Sequence, residues 1–174
     1  MVRANRRTVL RALALSPLAG VARATSNDAA RWSPWPASRR TPLLALPTLD
    51  GAAWDLAQAK GQTVLLNFWA TWCEPCRAEM PSLQALHQQY RDRHLQVVAV
   101  NFRESRDAVQ RYRDALGLDF MVLRDSYGDV SLAWGVRTFP TTVLMDRSGR
   151  AQWSVQGEVD WTQASVQKKI EALL

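Results

Sequence analysis

The chain holds two cysteines, three residues apart in Cys73-Glu74-Pro75-Cys76. A cysteine attacks only as its thiolate, and two thiols one helical turn apart can close into a disulfide and reopen. The chemistry within reach of this pair is dithiol–disulfide exchange. Metal binding is the competing use of two thiolates. A zinc site usually takes four ligands, and the two histidines, His87 and His94, stand at no short spacing from the pair, so no metal is expected. Two soft ligands also suit Cu(I), which keeps a non-enzymatic Cu(I)-binding module as an alternative.

Such a pair needs an element that ends at it and one that starts on it. Thr63–Trp69 is a continuous apolar run, the pattern of a strand covered on both faces. From Glu74 to about Arg93 the composition is helical, with Met80, Leu83, Leu86 and Tyr90 at spacings of three and four. Cys73 therefore falls where a strand gives way to a helix, the edge at which reactive groups gather in open α/β sheets. Free N–H groups and the helix dipole there favour thiolate over thiol. Pro75 removes a backbone donor where the helix does not need one.

The rest of the chain alternates in the same way. Leu95–Phe102 reads as a second buried strand, Ser105–Leu116 as a helix stopped at Gly117, and Phe120–Leu123 as a short strand. A short helix over Tyr127–Trp134 precedes a hairpin of Thr141–Met145 with Ala151–Val155, and Trp161–Leu174 closes the chain as a helix. Ahead of them, Leu43–Leu49 reads as a short edge strand between Pro42 and Pro47. Strand–helix–strand order with a late hairpin predicts an α/β fold around a mixed sheet.

The charge is uneven. Of 22 Lys+Arg against 16 Asp+Glu, a net +6 over 174 residues, Arg3, Arg6, Arg7, Arg11 and Arg23 fall in residues 1–24, which carry no acid. A basic start, the apolar stretch Leu13–Ala22 and the small residues Ala22-Arg23-Ala24 match the parts of a secretory signal. Asn5-Arg6-Arg7-Thr8-Val9-Leu10-Arg11 resembles a twin-arginine export signal. Cleavage after Ala24 leaves 150 residues of charge +1, which argues against a nucleic-acid partner. Residues 25–42, with Pro34, Pro36 and Pro42, read as an extended leader, and 43–174 as the folded domain. Arg103, Arg106, Arg111 and Arg113 alternate with Glu104, Asp107 and Asp114, the pattern of a solvated helix face.

Phe68-Trp-Ala-Thr-Trp-Cys-Glu-Pro-Cys-Arg-Ala-Glu-Met-Pro81, with Val136-Arg-Thr-Phe-Pro-Thr-Thr142 downstream, resembles the active site of TlpA/ResA-like exported thiol–disulfide oxidoreductases of the thioredoxin superfamily. The resemblance spans about residues 43–174. It implies a thioredoxin-like fold, a central mixed sheet flanked by helices with an N-terminal β extension, and a redox-active Cys73–Cys76 disulfide without other cofactor. It also implies a cis bond at Pro140, exposing the backbone of Phe139 to pair with a substrate chain. Trp72 is expected to flank the disulfide, and Glu74 with Pro75 to tune its potential. Where thioredoxin has a buried Asp this chain has Asn67, so Glu79, three residues beyond Cys76, is the candidate proton carrier.

The implied activity is reduction of disulfides in exported proteins, by a periplasmic monomer recharged by a membrane electron donor of the DsbD or CcdA kind. An uncleaved signal would leave it anchored, facing the periplasm. Apocytochrome c and copper-site cysteines are candidate substrates, although Thr138-Phe-Pro-Thr-Thr142 departs from the Gly-x-Pro-Glu-Thr common in cytochrome-maturing branches. A thiol peroxidase of the peroxiredoxin type is the second alternative. Those enzymes place Thr three residues before the attacking Cys, where this chain has Ala70.

Overall fold

The computed structural model describes residues 30–174, so the expected signal at 1–24 and the start of the 25–42 segment lie outside the described residues. The strands are β1 (Arg31–Pro34), β2 (Ala45–Pro47), β3 (Ala53–Asp55), β4 (Thr63–Trp69), β5 (Leu95–Phe102), β6 (Met121–Asp125), β7 (Thr141–Met145) and β8 (Ala151–Gln156). The helices are α1 (Glu74–Tyr90), α2 (Arg106–Leu116), α3 (Asp129–Ala133) and α4 (Ala164–Glu171). Six strands form one sheet in the order β1-β8-β7-β4-β5-β6, and β2 pairs β3 apart from it. β4, β5 and β6 run parallel; β7, β8 and β1 are antiparallel to their neighbours.

β4 is buried along its whole length, and its side chains alternate between two cores as the period of a strand requires. Leu65 and Trp69 join Met80, Leu83, Leu86, Tyr90, Val166 and Ile170 under α1 and α4. Leu66 and Phe68 join Val98, Val100, Trp134 and Trp54 on the opposite face. Each fully buried Leu contributes about 1.5–3 kcal/mol relative to exposure, so the two cores hold β4 rigidly from both sides. Its C-terminal end, where the cysteines begin, inherits that rigidity. Among the described residues no helix is long and apolar enough to cross a membrane.

Three elements differ from the sequence reading. The 25–42 segment, read as an extended leader without a strand period, contains a paired strand: β1 joins Arg31–Pro34 to β8, and Trp32 meets Trp153 and Trp161, each with centroids 6.4 Å away. Pro34 fits because an edge strand can spare a donor. The strand read over Leu43–Leu49 shortens to β2 and finds a partner, β3, that its sequence did not announce. The last helix starts at Ala164 rather than Trp161, because Asp160 accepts from Thr162 N–H at 3.0 Å and holds a turn ahead of it.

Candidate active site

Past Trp69 the chain leaves the sheet, crosses Ala70–Trp72 and enters α1 with Cys73 as its N-cap. Cys73 is extended (φ −87°, ψ 106°), and its Sγ accepts the Cys76 N–H at 3.2 Å. Cys73 and Cys76 are joined in a disulfide, with Cα atoms 5.3 Å apart. The two sulfurs are not equivalent. Cys73 keeps 5% of its surface exposed, whereas Cys76 has none. A partner can reach only the first, and the helix N-terminus favours negative charge on it. Pro75 lies in the first turn, where its missing N–H costs nothing. Glu74 is exposed and pairs with Arg77 at 3.5 Å, where solvent screens its charge.

Behind the disulfide, Glu79 is almost wholly buried, at 1% exposure. Its Oε1 accepts from Asn67 Nδ2 at 2.7 Å and its Oε2 from the Val159 N–H at 3.1 Å. Burial pushes the carboxyl up to about 8, because the ion loses more hydration than these donors and the nearby Trp161 indole return. Among the described residues Trp161 Nε1 is buried without a hydrogen-bond partner. Asn67 Nδ2 also donates to Thr142 Oγ1 at 2.9 Å, across the β4–β7 pair in which these two residues face each other. An acid with a pKa near 8, one turn beyond Cys76, can accept and return a proton at neutral pH.

The rim is aromatic. The Phe139–Pro140 bond is cis, Pro140 is buried, and Phe139 is half-buried. Among the described residues the Phe139 backbone N–H and C=O make no hydrogen bond, leaving both free for an extended chain. Trp72, 63% exposed, stands edge-on to Phe139 with centroids 5.7 Å apart. Phe139 also contacts Phe102 at 4.9 Å. Of the residues expected at the site, Cys73, Cys76, Glu79, Trp72, Phe139, Pro140 and Pro75 gather at one edge of the sheet, and Glu74 lies on its exposed flank. His87 lies elsewhere, 3.6 Å from Asp119, and His94 stands just ahead of β5.

Sequence reasoning missed Glu104. Placed in a solvated charge run, it instead turns inward ahead of α2 and accepts from Thr71 N–H and Asn101 Nδ2, both at 2.7 Å, and from the Thr71 hydroxyl. Asn101 is buried and is the last β5 residue registered with β4, opposite Trp69. The loop that carries Trp72 and Cys73 thus hangs on one carboxylate. The only signal in sequence was the buried strand ending two residues earlier. Among the described residues no group of three His, Cys, Asp or Glu is placed to hold a metal ion.

A family model described as the AhpC/TSA family matches residues 37–154. The chain is 43% identical over 117 residues to the thioredoxin-like protein YneN of Bacillus subtilis, covering 66% of this chain and 68% of the relative. It is 33% identical over 132 residues to the thiol-disulfide oxidoreductase ResA of Geobacillus thermodenitrificans, covering 76% and 75%. Among solved structures, a secreted thiol-disulfide isomerase from Corynebacterium glutamicum superposes with a TM-score of 0.72 at 26% identity, covering 86% of this chain and 93% of that one. The fold is thioredoxin-like, as expected from the sequence.

Proposed function

The chain belongs to the AhpC/TSA family and is a thiol–disulfide oxidoreductase, and from that premise we propose that it reduces disulfides of exported proteins in the periplasm. The observation that carries the proposal is the buried Glu79 behind a half-shielded Cys73–Cys76 pair. In the reduced protein the Cys73 thiolate attacks one sulfur of a substrate disulfide. The substrate S–S bond breaks, one substrate thiolate leaves, and a Cys73–substrate disulfide forms. Glu79 takes the Cys76 proton, and the Cys76 thiolate attacks Cys73 Sγ. The second substrate thiolate leaves, and Glu79 or water reprotonates it. Two electrons pass from the dithiol to the substrate, and the Cys73–Cys76 disulfide remains. Trp72 and Phe139 bracket the incoming segment, with the backbone of Phe139, held by cis-Pro140, pairing to it.

The basic, acid-free residues 1–24 support export, and a membrane donor of the DsbD or CcdA kind would return the electrons to a monomeric protein. Apocytochrome c and copper-site cysteines are the candidate substrates. Cys76→Ser should accumulate mixed disulfides with its partners, identifiable by mass spectrometry, and Cys73→Ser should trap none. If both variants reduced insulin as well as the parent, the assignment of the cysteines would be wrong.

The family description favours one further reading, a thiol peroxidase. The geometry does not support it: Ala70 stands where those enzymes have Thr, and the Thr71 hydroxyl is committed to Glu104. Peroxide consumption by the reduced protein tests it directly. Metal analysis of the same material tests the Cu(I) module.

A further inference from the structure

One arginine at the rim is held in place without a charge to answer it. Arg103 follows the last residue of β5 and has φ +57°, a conformation that only it and His94 share among the described non-glycine residues. Such a backbone costs free energy and persists where the surroundings impose it. Here its N–H donates to Asp125 O at 3.0 Å and its Nε to Tyr127 O at 2.6 Å. The guanidinium carbon lies 5.1 Å from the centre of the Phe102 ring. Gly128 leaves the necessary room, since a Cβ there would stand 2.6 Å from both Arg103 Nε and Phe102 Cε2. Two side-chain contacts, one backbone bond and a glycine fix the residue while leaving its side chain exposed.

No carboxylate of the described residues pairs with it. The two nearest acids in the sequence and register are occupied. Glu104 faces Thr71 and Asn101, and Asp125 accepts from Gly128 N–H and from Ser131 N–H and hydroxyl. The guanidinium also ends a continuous row from the disulfide: Trp72 on Phe139, Phe139 on Phe102, Arg103 over Phe102. Exposed Trp72 opens that row at 63% and exposed Tyr127 stands by its end at 78%. Trp, Tyr and Arg are the types that dominate binding energy at interfaces, and a preorganised guanidinium is matched to a carboxylate.

We propose that Arg103 selects disulfide partners that carry an acidic residue close to the reacting cysteine, with the partner segment laid along the Trp72–Phe139–Phe102 row. This rests on the exchange activity assigned to Cys73. From Phe139 to the guanidinium the row takes steps of 4.9 and 5.1 Å, which about three residues of extended chain cover at ~3.3 Å each. With the substrate cysteine set against the Phe139 backbone, as the proposed exchange has it, the carboxylate is expected about three residues from that cysteine.

The test uses the reduced full chain and three disulfide-bonded peptides, identical except for Glu, Ala or Lys at the third position from the cysteine. The readout is the ratio of Glu-peptide to Ala-peptide reduction rates, so that any general loss of activity divides out. The parent should prefer the Glu peptide by about tenfold, and added salt should shrink the preference. Arg103→Gln should bring the ratio near one, and Arg103→Glu should turn the preference to the Lys peptide. Equal rates on all three peptides with the parent, or an undiminished ratio in Arg103→Gln, would overturn the proposal. Hydroxyethyl disulfide, which is uncharged and has no flanking residues, separates the two claims: if the parent does not reduce it, the exchange reading fails rather than the selectivity.

Discussion

Asn67 Nδ2 donates to Glu79 Oε1 at 2.7 Å, so the central strand grips the buried acid of the active-site helix side chain to side chain. The amide favours the ionised form, yet burial prevails and the carboxyl stays protonated up to about pH 8. Asn67 therefore does not leave the position of the thioredoxin Asp without a carboxyl beside it: it anchors Glu79, the acid proposed to carry the proton in exchange.

This places a pH limb on the second exchange step. Release of substrate from the Cys73 mixed disulfide should accelerate as pH rises through about 8, as Glu79 becomes able to accept the Cys76 proton. Glu79→Gln should slow that release by about 10²-fold and remove the limb. Single-turnover kinetics on a preformed mixed disulfide would measure it. Formation of the mixed disulfide should change far less.

The same group sets a stability trend. The unfolded chain ionises Glu79 near 4.5, the folded chain near 8, so between those values the unfolded state has lost a proton that the folded state retains. Unfolding is thus increasingly favoured as pH rises through this window, and the trend levels off above 8. The oxidised parent should lose a few kcal/mol relative to Glu79→Gln between pH 4.5 and 8, as read by denaturant titration.

Glu104→Ala should free the Ala70–Trp72 loop by leaving Thr71 N–H and Asn101 Nδ2 without their acceptor. A cost of about 1–3 kcal/mol is expected in denaturant unfolding. Misplacing Cys73 should also lower its alkylation rate in the Cys76→Ser background by roughly tenfold. Asp146→Ala, which removes hydrogen bonds to Ser148 and Arg150 at the far turn between β7 and β8, is the control. It should lose stability and keep the parental alkylation rate.

Gly128→Ala sets a Cβ against Arg103 and Phe102 at φ +81°. It should cost about 1–3 kcal/mol and loosen the aromatic row, detectable as a lower thermal midpoint together with altered Trp fluorescence.

The cysteines, the strand before them and the helix after them were legible because one pattern governs each. β4 and β5 are unbroken apolar runs, and Met80, Leu83, Leu86 and Tyr90 mark one helix face. What stayed hidden depends on contacts between distant segments. Trp32 gives no sign, among its prolines, that it will meet Trp153 and Trp161. Glu104 looks like its charged neighbours until Thr71, in the loop after β4, and Asn101, at the end of β5, stand beside it. Asn67 reads as a lost acid until Glu79 lies against it. Periodicity reports what a residue faces on average, and hydrogen-bond partners are individual.

The flanks of the six-stranded sheet have a consequence for an oxidoreductase that must release the disulfide-containing chains it meets. On one side β1 supplies only four residues and ends in a proline; on the other, the Thr48–Leu123 bridge lays the β2 region across part of β6. Neither border offers a long row of open ladder groups on which a client strand could polymerise. In the proposed exchange, backbone pairing with a client is thereby left to the short stretch before Pro140. A contact that short should dissolve when the sulfur chemistry finishes, and a bound chain would find no long edge on which to extend the sheet.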